Sequence, residues 1–113
     1  MAAVYVSNIV INQGADFSQV FNLADSSNDS IDLTNYSFTA QMRKHAGSSV
    51  SVNLNPTLVT PSTDGAIRIT LTDTQTSTLK PGRYVYDILI TDNSGIKTRA
   101  VEGSAIVREG VSR

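Results

Sequence analysis

Residues 71–90 read LTDTQTSTLKPGRYVYDILI, and their character changes halfway along. Thr72-Asp73-Thr74-Gln75 fits a capping box, with Thr72 closing the start of a helix and Gln75 reaching back to it from three positions on. Pro81-Gly82 forbids continuation of that helix. Beyond it, Tyr84, Tyr86, Ile88 and Ile90 fall on one face of a strand and Val85 and Leu89 on the other. Both faces are rather apolar, which predicts a central strand. The stretch therefore reads as one short helical turn joining two strands, with Leu71 and Leu79 flanking it and tucking beneath.

The rest of the chain supplies strands on either side. Ala3 to Ile11 (AVYVSNIVI) is apolar and β-branched, and short enough for a strand. After Asn12-Gln13-Gly14, Phe17, Gln19, Phe21 and Leu23 share one face in an imperfect alternation. Tyr36, Phe38, Ala40 and Met42 oppose Ser37, Thr39, Gln41 and Arg43, the period-2 pattern of a half-buried strand. Val50, Val52 and Leu54 alternate with Ser51, Asn53 and Asn55 until Pro56, which cannot donate to a ladder, ends the run. Thr63-Asp64-Gly65 is a turn signal, and Ile67, Ile69 and Leu71 follow on one face. A last strand runs from Ile96 to Glu109 after the DNSG turn, and Gly103 within it suggests a bulge or bend.

About eight strands separated by turns, with scarce Glu and abundant Ser and Thr, predict an all-β protein. The expected architecture is an immunoglobulin-like antiparallel β-sandwich with one short helical turn, formed by a single domain over residues 1–113. In such sandwiches a tyrosine after the corner bonds back to the corner backbone, and Tyr84 stands in that place; the competing role is a surface aromatic that contacts a ligand.

Composition narrows the function classes. The chain has 113 residues, a net charge of −1 and 17% charged residues, which argues against nucleic-acid and polybasic membrane-surface binding. It has no cysteine, so neither disulfides nor thiolate metal sites are available. No stretch approaches the roughly 18 apolar residues of a membrane span, and no export signal is recognisable at the start.

The search for chemistry is correspondingly thin. His45 lies near Ser48 and Ser49, but no nucleophile elbow surrounds them, and a solvated histidine at a hairpin end is the simpler reading. Asp87 in the central strand is a candidate buried acid for glycoside hydrolysis; the simpler reading pairs it with an arginine such as Arg99. Asp25, Ser27 and Asp29 match the first, third and fifth positions of a calcium loop. Ser30 and Tyr36, however, stand where that loop needs Gly and Glu. A different calcium site from Asp25, Asp29 and Asp32 competes with an ordinary polar hairpin loop. Asn28-Asp29-Ser30 and Asn35-Tyr36-Ser37 match the glycosylation sequon and are read as chance matches. The expectation is no catalytic residue, no cofactor and no metal, in a protein that is not an enzyme.

Taken in order, QGADF (13–17), DLTNY (32–36), LTDTQTSTLKPGRYVYD (71–87) and RAVEGSAIVREGVSR (99–113) resemble the small virion structural proteins of tailed bacteriophages. They are also similar to the immunoglobulin-like N-terminal modules of phage baseplate proteins. The resemblance covers nearly the whole chain and is most specific in the third motif. Asn35 departs from a position where glycine is frequent, and it tolerates the same left-handed geometry. The resemblance implies a structural subunit of a virion, assembled in the host cytoplasm, with tail or baseplate slightly favoured over capsid decoration. Its expected partners are other tail, baseplate or major capsid proteins, and a homo-oligomer is compatible; nucleic acid and membrane are not expected. Docking by strand addition is expected at the N-terminal strand Ala3 to Ile11 or the C-terminal strand through Val107, with the tail EGVSR extended. The alternative is a β-sandwich module that binds carbohydrate or a host surface, which the lack of tryptophan disfavours.

Overall fold

The β-rich sequence forms two sheets that close on one core. The computed structural model of the chain describes residues 5–23, 31–45, 47–49, 51–60 and 65–111, and those residues form nine strands and one helix. The strands are β1 (Tyr5–Val6), β2 (Ile9–Asn12), β3 (Phe17–Asn22), β4 (Ser37–Arg43), β5 (Val52–Asn53), β6 (Thr57–Leu58), β7 (Ala66–Leu71), β8 (Gly82–Thr91) and β9 (Lys97–Arg108); α1 spans Asp73–Ser77. The larger sheet runs β1-β9-β8-β4-β5 with β2 also on β9, and the smaller runs β3-β7-β6. This strand order follows the immunoglobulin-like plan.

Alternation places the core. Ala40 and Met42 of β4, Tyr84, Tyr86, Ile88 and Ile90 of β8, and Ile67, Ile69 and Leu71 of β7 are all buried on the inner faces. Phe21 meets Tyr86 across the gap between the sheets, with ring centroids 6.4 Å apart. Leu54 ties the sheets together through its backbone: its amide donates to the Ala40 carbonyl of the larger sheet, and its carbonyl accepts from Thr70 of the smaller, both at 2.9 Å. Asn55 then takes a left-handed turn at φ 51°, so Pro56 ends one strand where the chain changes sheets and starts β6. That two-residue strand was not predicted, because it is too short to alternate.

Other expectations need correction. Ala3 to Ile11 is not one strand: it breaks at Ser7-Asn8 into β1 and β2, and both pair parallel to β9, so the sandwich is not wholly antiparallel. Gln19, placed on the inner face by alternation, is exposed, and its amide leans onto the Val20 carbonyl. β8 is central, as read, yet its apolar outer face is uncovered, with Val85 39% exposed. Centrality came from hydrogen bonding on both edges and not from a second covering layer.

The bulge in β9 also lies elsewhere than expected. Leu89 faces Arg99 while Ile88 faces Val101, so Ala100 is the extra residue. Gly103 answers a different demand. A Cβ there would sit 1.9 Å from the Ser7 carbonyl oxygen, because the break between β1 and β2 presses against it.

Candidate functional site

Two regions carry the residues that the sequence singled out. The first is the corner around α1. A five-residue helix is too short to persist by propensity alone, and neighbouring groups hold it. Thr72 Oγ1 accepts from the Gln75 amide and Gln75 Oε1 from the Thr72 amide, completing the predicted capping box. Thr76 is the one fully buried polar side chain among the described residues, and its hydroxyl accepts from the Gly14 amide at 3.1 Å and donates to the Ala15 carbonyl at 2.9 Å. Gln13 donates to the Leu79 carbonyl and accepts from the Gly110 amide. The motifs QGADF and LTDTQTSTL thus touch each other and the C-terminal segment. Tyr84 Oη donates to the Lys80 carbonyl at 2.8 Å, the tyrosine-corner bond, and Lys44 Nζ lies 4.8 Å from its ring centroid. With its ring buried, Tyr84 serves structure. Among the described residues, no buried side-chain polar atom of the corner lacks a hydrogen-bond partner.

The second region is the outer face of the larger sheet, where an open depression is lined by Val6, Arg43, His45, Val85, Asp87 and Arg99, among others. Cross-strand register builds it. Gln41 faces Asp87, Asp87 faces Glu102 and Glu102 faces Val6, one row across four strands. Asp87 and Glu102 are therefore like charges directly opposed, an unfavourable pairing. Arg99 offsets it, with Nε 3.4 Å from Asp87 and Nη1 3.7 Å from Glu102. Strict alternation would turn Arg99 inward if Glu102 points out; the bulge at Ala100 restores it to the outer face. The pairing of Asp87 with Arg99 read from sequence is present, and Asp87 is not buried.

Beside this row, the outer face carries exposed aliphatics. Val6 is 76% exposed and Val10 50% exposed, and Val10 lies next to Ile106 in register. Beneath the row, Tyr86 Oη donates to the Ser7 carbonyl at 2.6 Å, pinning the break between β1 and β2. Burial pushes the Tyr86 phenol above its ordinary value near 10. Arg43 is engaged by the Ser48 carbonyl and Gln41 Oε1, which shapes the loop after β4. His45 is exposed on that loop, as read.

Asp25, Ser27, Asp29 and Ser30 lie outside the described residues, as does the sequon at Asn28. Asp32 bonds the Thr34 hydroxyl at 2.5 Å and amide at 3.0 Å, which hold its carboxyl below the usual range. These bonds shape the turn that places Asn35 at φ 64°, the left-handed geometry foreseen for it. No group of three His, Cys, Asp or Glu side chains among the described residues could hold a metal ion. No described helix is long and apolar enough to cross a membrane.

The docking edges foreseen at the termini fare unequally. β9 is paired on both sides, by β8 and by β1 and β2, so the C-terminal strand is not an edge. The N-terminal strand is an edge, but an interrupted one.

No protein-family model and no curated protein sequence matches the chain. Among solved structures, the chain is similar to the N-terminal domain of phage TP901-1 ORF48, with a TM-score of 0.58 and 7% identity over 93% of this chain and 98% of that one. It is also similar to the SrpA adhesin of Streptococcus sanguinis, with a TM-score of 0.53 and 13% identity over 96% of this chain. The chain spans 57% of the adhesin's length. At such identities these likenesses establish the β-sandwich fold.

Proposed function

We propose that the protein is a non-enzymatic structural subunit of a tailed-phage particle, docking as a rigid sandwich onto other virion proteins, with tail or baseplate favoured over capsid decoration. The observation that carries the reading is the match to a phage domain end to end, 93% of one chain against 98% of the other. The motif order of the sequence supports it independently, since the most specific motif builds a rigid corner. A subunit of this kind needs rigidity and an exposed face. The outer face of the larger sheet offers exposed Val6, Val10 and Ile106 beside the Asp87–Arg99–Glu102 charges.

A second reading is favoured by the likeness to an adhesin. On it, the same depression, with Arg99, Asp87 and His45, binds carbohydrate or another host-surface group. Gold-labelled antibody on intact particles, viewed by negative-stain microscopy, separates the two. Label at the tail or its tip is the expected result, and label over the head would make the subunit a decoration protein. Absence of label from every particle would overturn the virion reading and direct attention to a glycan-binding assay.

A further inference from the structure

Among the described residues the sandwich has four sheet edges, and they are protected very unevenly. β5 and β6 are two residues long, and β6 begins directly after Pro56. The β1 and β2 edge is broken at Ser7-Asn8. β3 is different: Phe17-Ser18-Gln19-Val20-Phe21-Asn22 is continuous, pairs among the described residues only with β7, and contains no charged residue and no proline. Charges, prolines, breaks and short length are the usual protections of an edge, and β3 has none of them.

The ladder fixes which groups that edge presents. Leu23 N donates to Gly65 O, opposite it in the β3–β7 register, so Phe17, Gln19 and Phe21 direct their backbone groups at β7. On the far side of β7, Val59 N donates to Ala66 O and Thr70 N to Leu54 O, the complementary alternation. The amides and carbonyls of Ser18, Val20 and Asn22 therefore point away from the sheet. Among the described residues, only the Val20 carbonyl of these has a bond, a 3.4 Å contact from its neighbour Gln19.

We propose that β3 is a self-association edge, pairing antiparallel with β3 of a second copy about a two-fold axis at Val20. In this register Val20 faces Val20 of the second copy and Ser18 faces Asn22, so every outward amide meets a carbonyl, in about six hydrogen bonds. A slip of two residues in either direction runs one of those partners past the end of the strand. The outer-face side chains agree with the pairing: Val20, 37% exposed, covers its own copy, and Ser18 lies beside Asn22. The charge pattern agrees as well. No residue of the strand carries charge, and Arg68, opposite Val20 on β7, is separated from its copy by both β3 strands. At strand spacings near 4.8 Å that is roughly 14 Å, beyond the screening length at physiological salt. The result is a closed dimer with a continuous sheet through both copies. Pairing along one edge buries less than the roughly 800 Å² per partner of a standard interface, so the dimer is a weak one, favoured where copies are crowded on an assembly. The inference goes beyond the virion reading and does not depend on it.

The test is sedimentation of the whole chain from micromolar to millimolar concentration, with amide exchange followed by NMR over the same range. Concentration-dependent dimer is expected, with the Ser18, Val20 and Asn22 amides gaining protection as it forms and Gln19 and Phe21 protected throughout. Val20→Pro removes an outward amide without touching the β3–β7 ladder, and should stay monomeric at every concentration. Val20→Lys places like charges at the axis and should weaken dimerisation at least about fivefold. Protection of Gln19 and Phe21 reports that each variant is folded. A wild-type chain monomeric at millimolar concentration, a higher oligomer, or a folded Val20→Lys that dimerises as well as wild type would overturn the proposal.

Discussion

The corner at α1 and the outer face around Asp87 are built in opposite ways. At the corner, polar groups are buried and paired: Thr76 serves two backbone groups, Gln13 two more, and Tyr84 closes the turn onto Lys80. On the outer face the charges are half-exposed, two carboxylates oppose each other, and one arginine mediates between them. Removing a partner from the corner leaves part-buried backbone groups unpaired, whereas removing one from the face lets water take its place. The most distinctive motif in the sequence therefore chiefly secures the fold, and the outer-face charges fall only at its last residue, Asp87, and at the start of the C-terminal motif, Arg99 and Glu102.

The largest effect that would break this contrast lies under the outer face. Gly103→Val forces a side chain into the Ser7 carbonyl, and it should displace β1 and β2 at a cost of about 3 kcal/mol or more in urea unfolding. At the corner, Thr76→Val keeps the volume but leaves the Gly14 amide and the Ala15 carbonyl unsatisfied. A loss of about 2 kcal/mol is expected, and a neutral result would mean that the corner relaxes freely. Tyr84→Phe and Thr72→Ala should each cost about 1 kcal/mol by the same measurement.

Tyr86 sharpens the comparison through pH. Its folded value is raised, so its contribution is complete below about 10 and is lost as pH rises through the folded value. Thermal unfolding from pH 8 to 11 should show an alkaline decline that Tyr86→Phe reduces. The smallest effect belongs to the exposed charges. Arg99→Gln should cost under about 1 kcal/mol, and the cost should shrink in high salt. A large, salt-insensitive loss would place Arg99 in the structural class with Thr76.

How much was legible in the sequence depended on the range of the interaction. The capping box, the tyrosine corner, the left-handed Asn35 and the buried faces of β4, β7 and β8 are set by neighbours within a few positions, and all were readable. The break at Ser7-Asn8 was not, because it exists to meet Gly103 and Tyr86 from strands far along the chain. Nor was the bulge at Ala100, although the adjacent apolar pair Ala100-Val101 between Arg99 and Glu102 is the trace it leaves. Gln19 read as a core position because alternation cannot tell an edge strand from a central one. Of the candidate site residues, the Asp87–Arg99 pair was foreseen, but Glu102 and the exposed Val6 and Val10 join it only through register.

By itself, the sequence determined the strand periodicity, the capped joint between β7 and β8, and the lack of cysteine with a single histidine, since these follow from composition and short-range sterics. Tertiary structure alone decided the parallel pairing of the N-terminal strands, the opposition of Asp87 and Glu102, and the position of β3 at a sheet edge among the described residues. Each of these depends on which distant strand supplies the hydrogen-bonding partner, and backbone donors and acceptors are the same in every residue but proline.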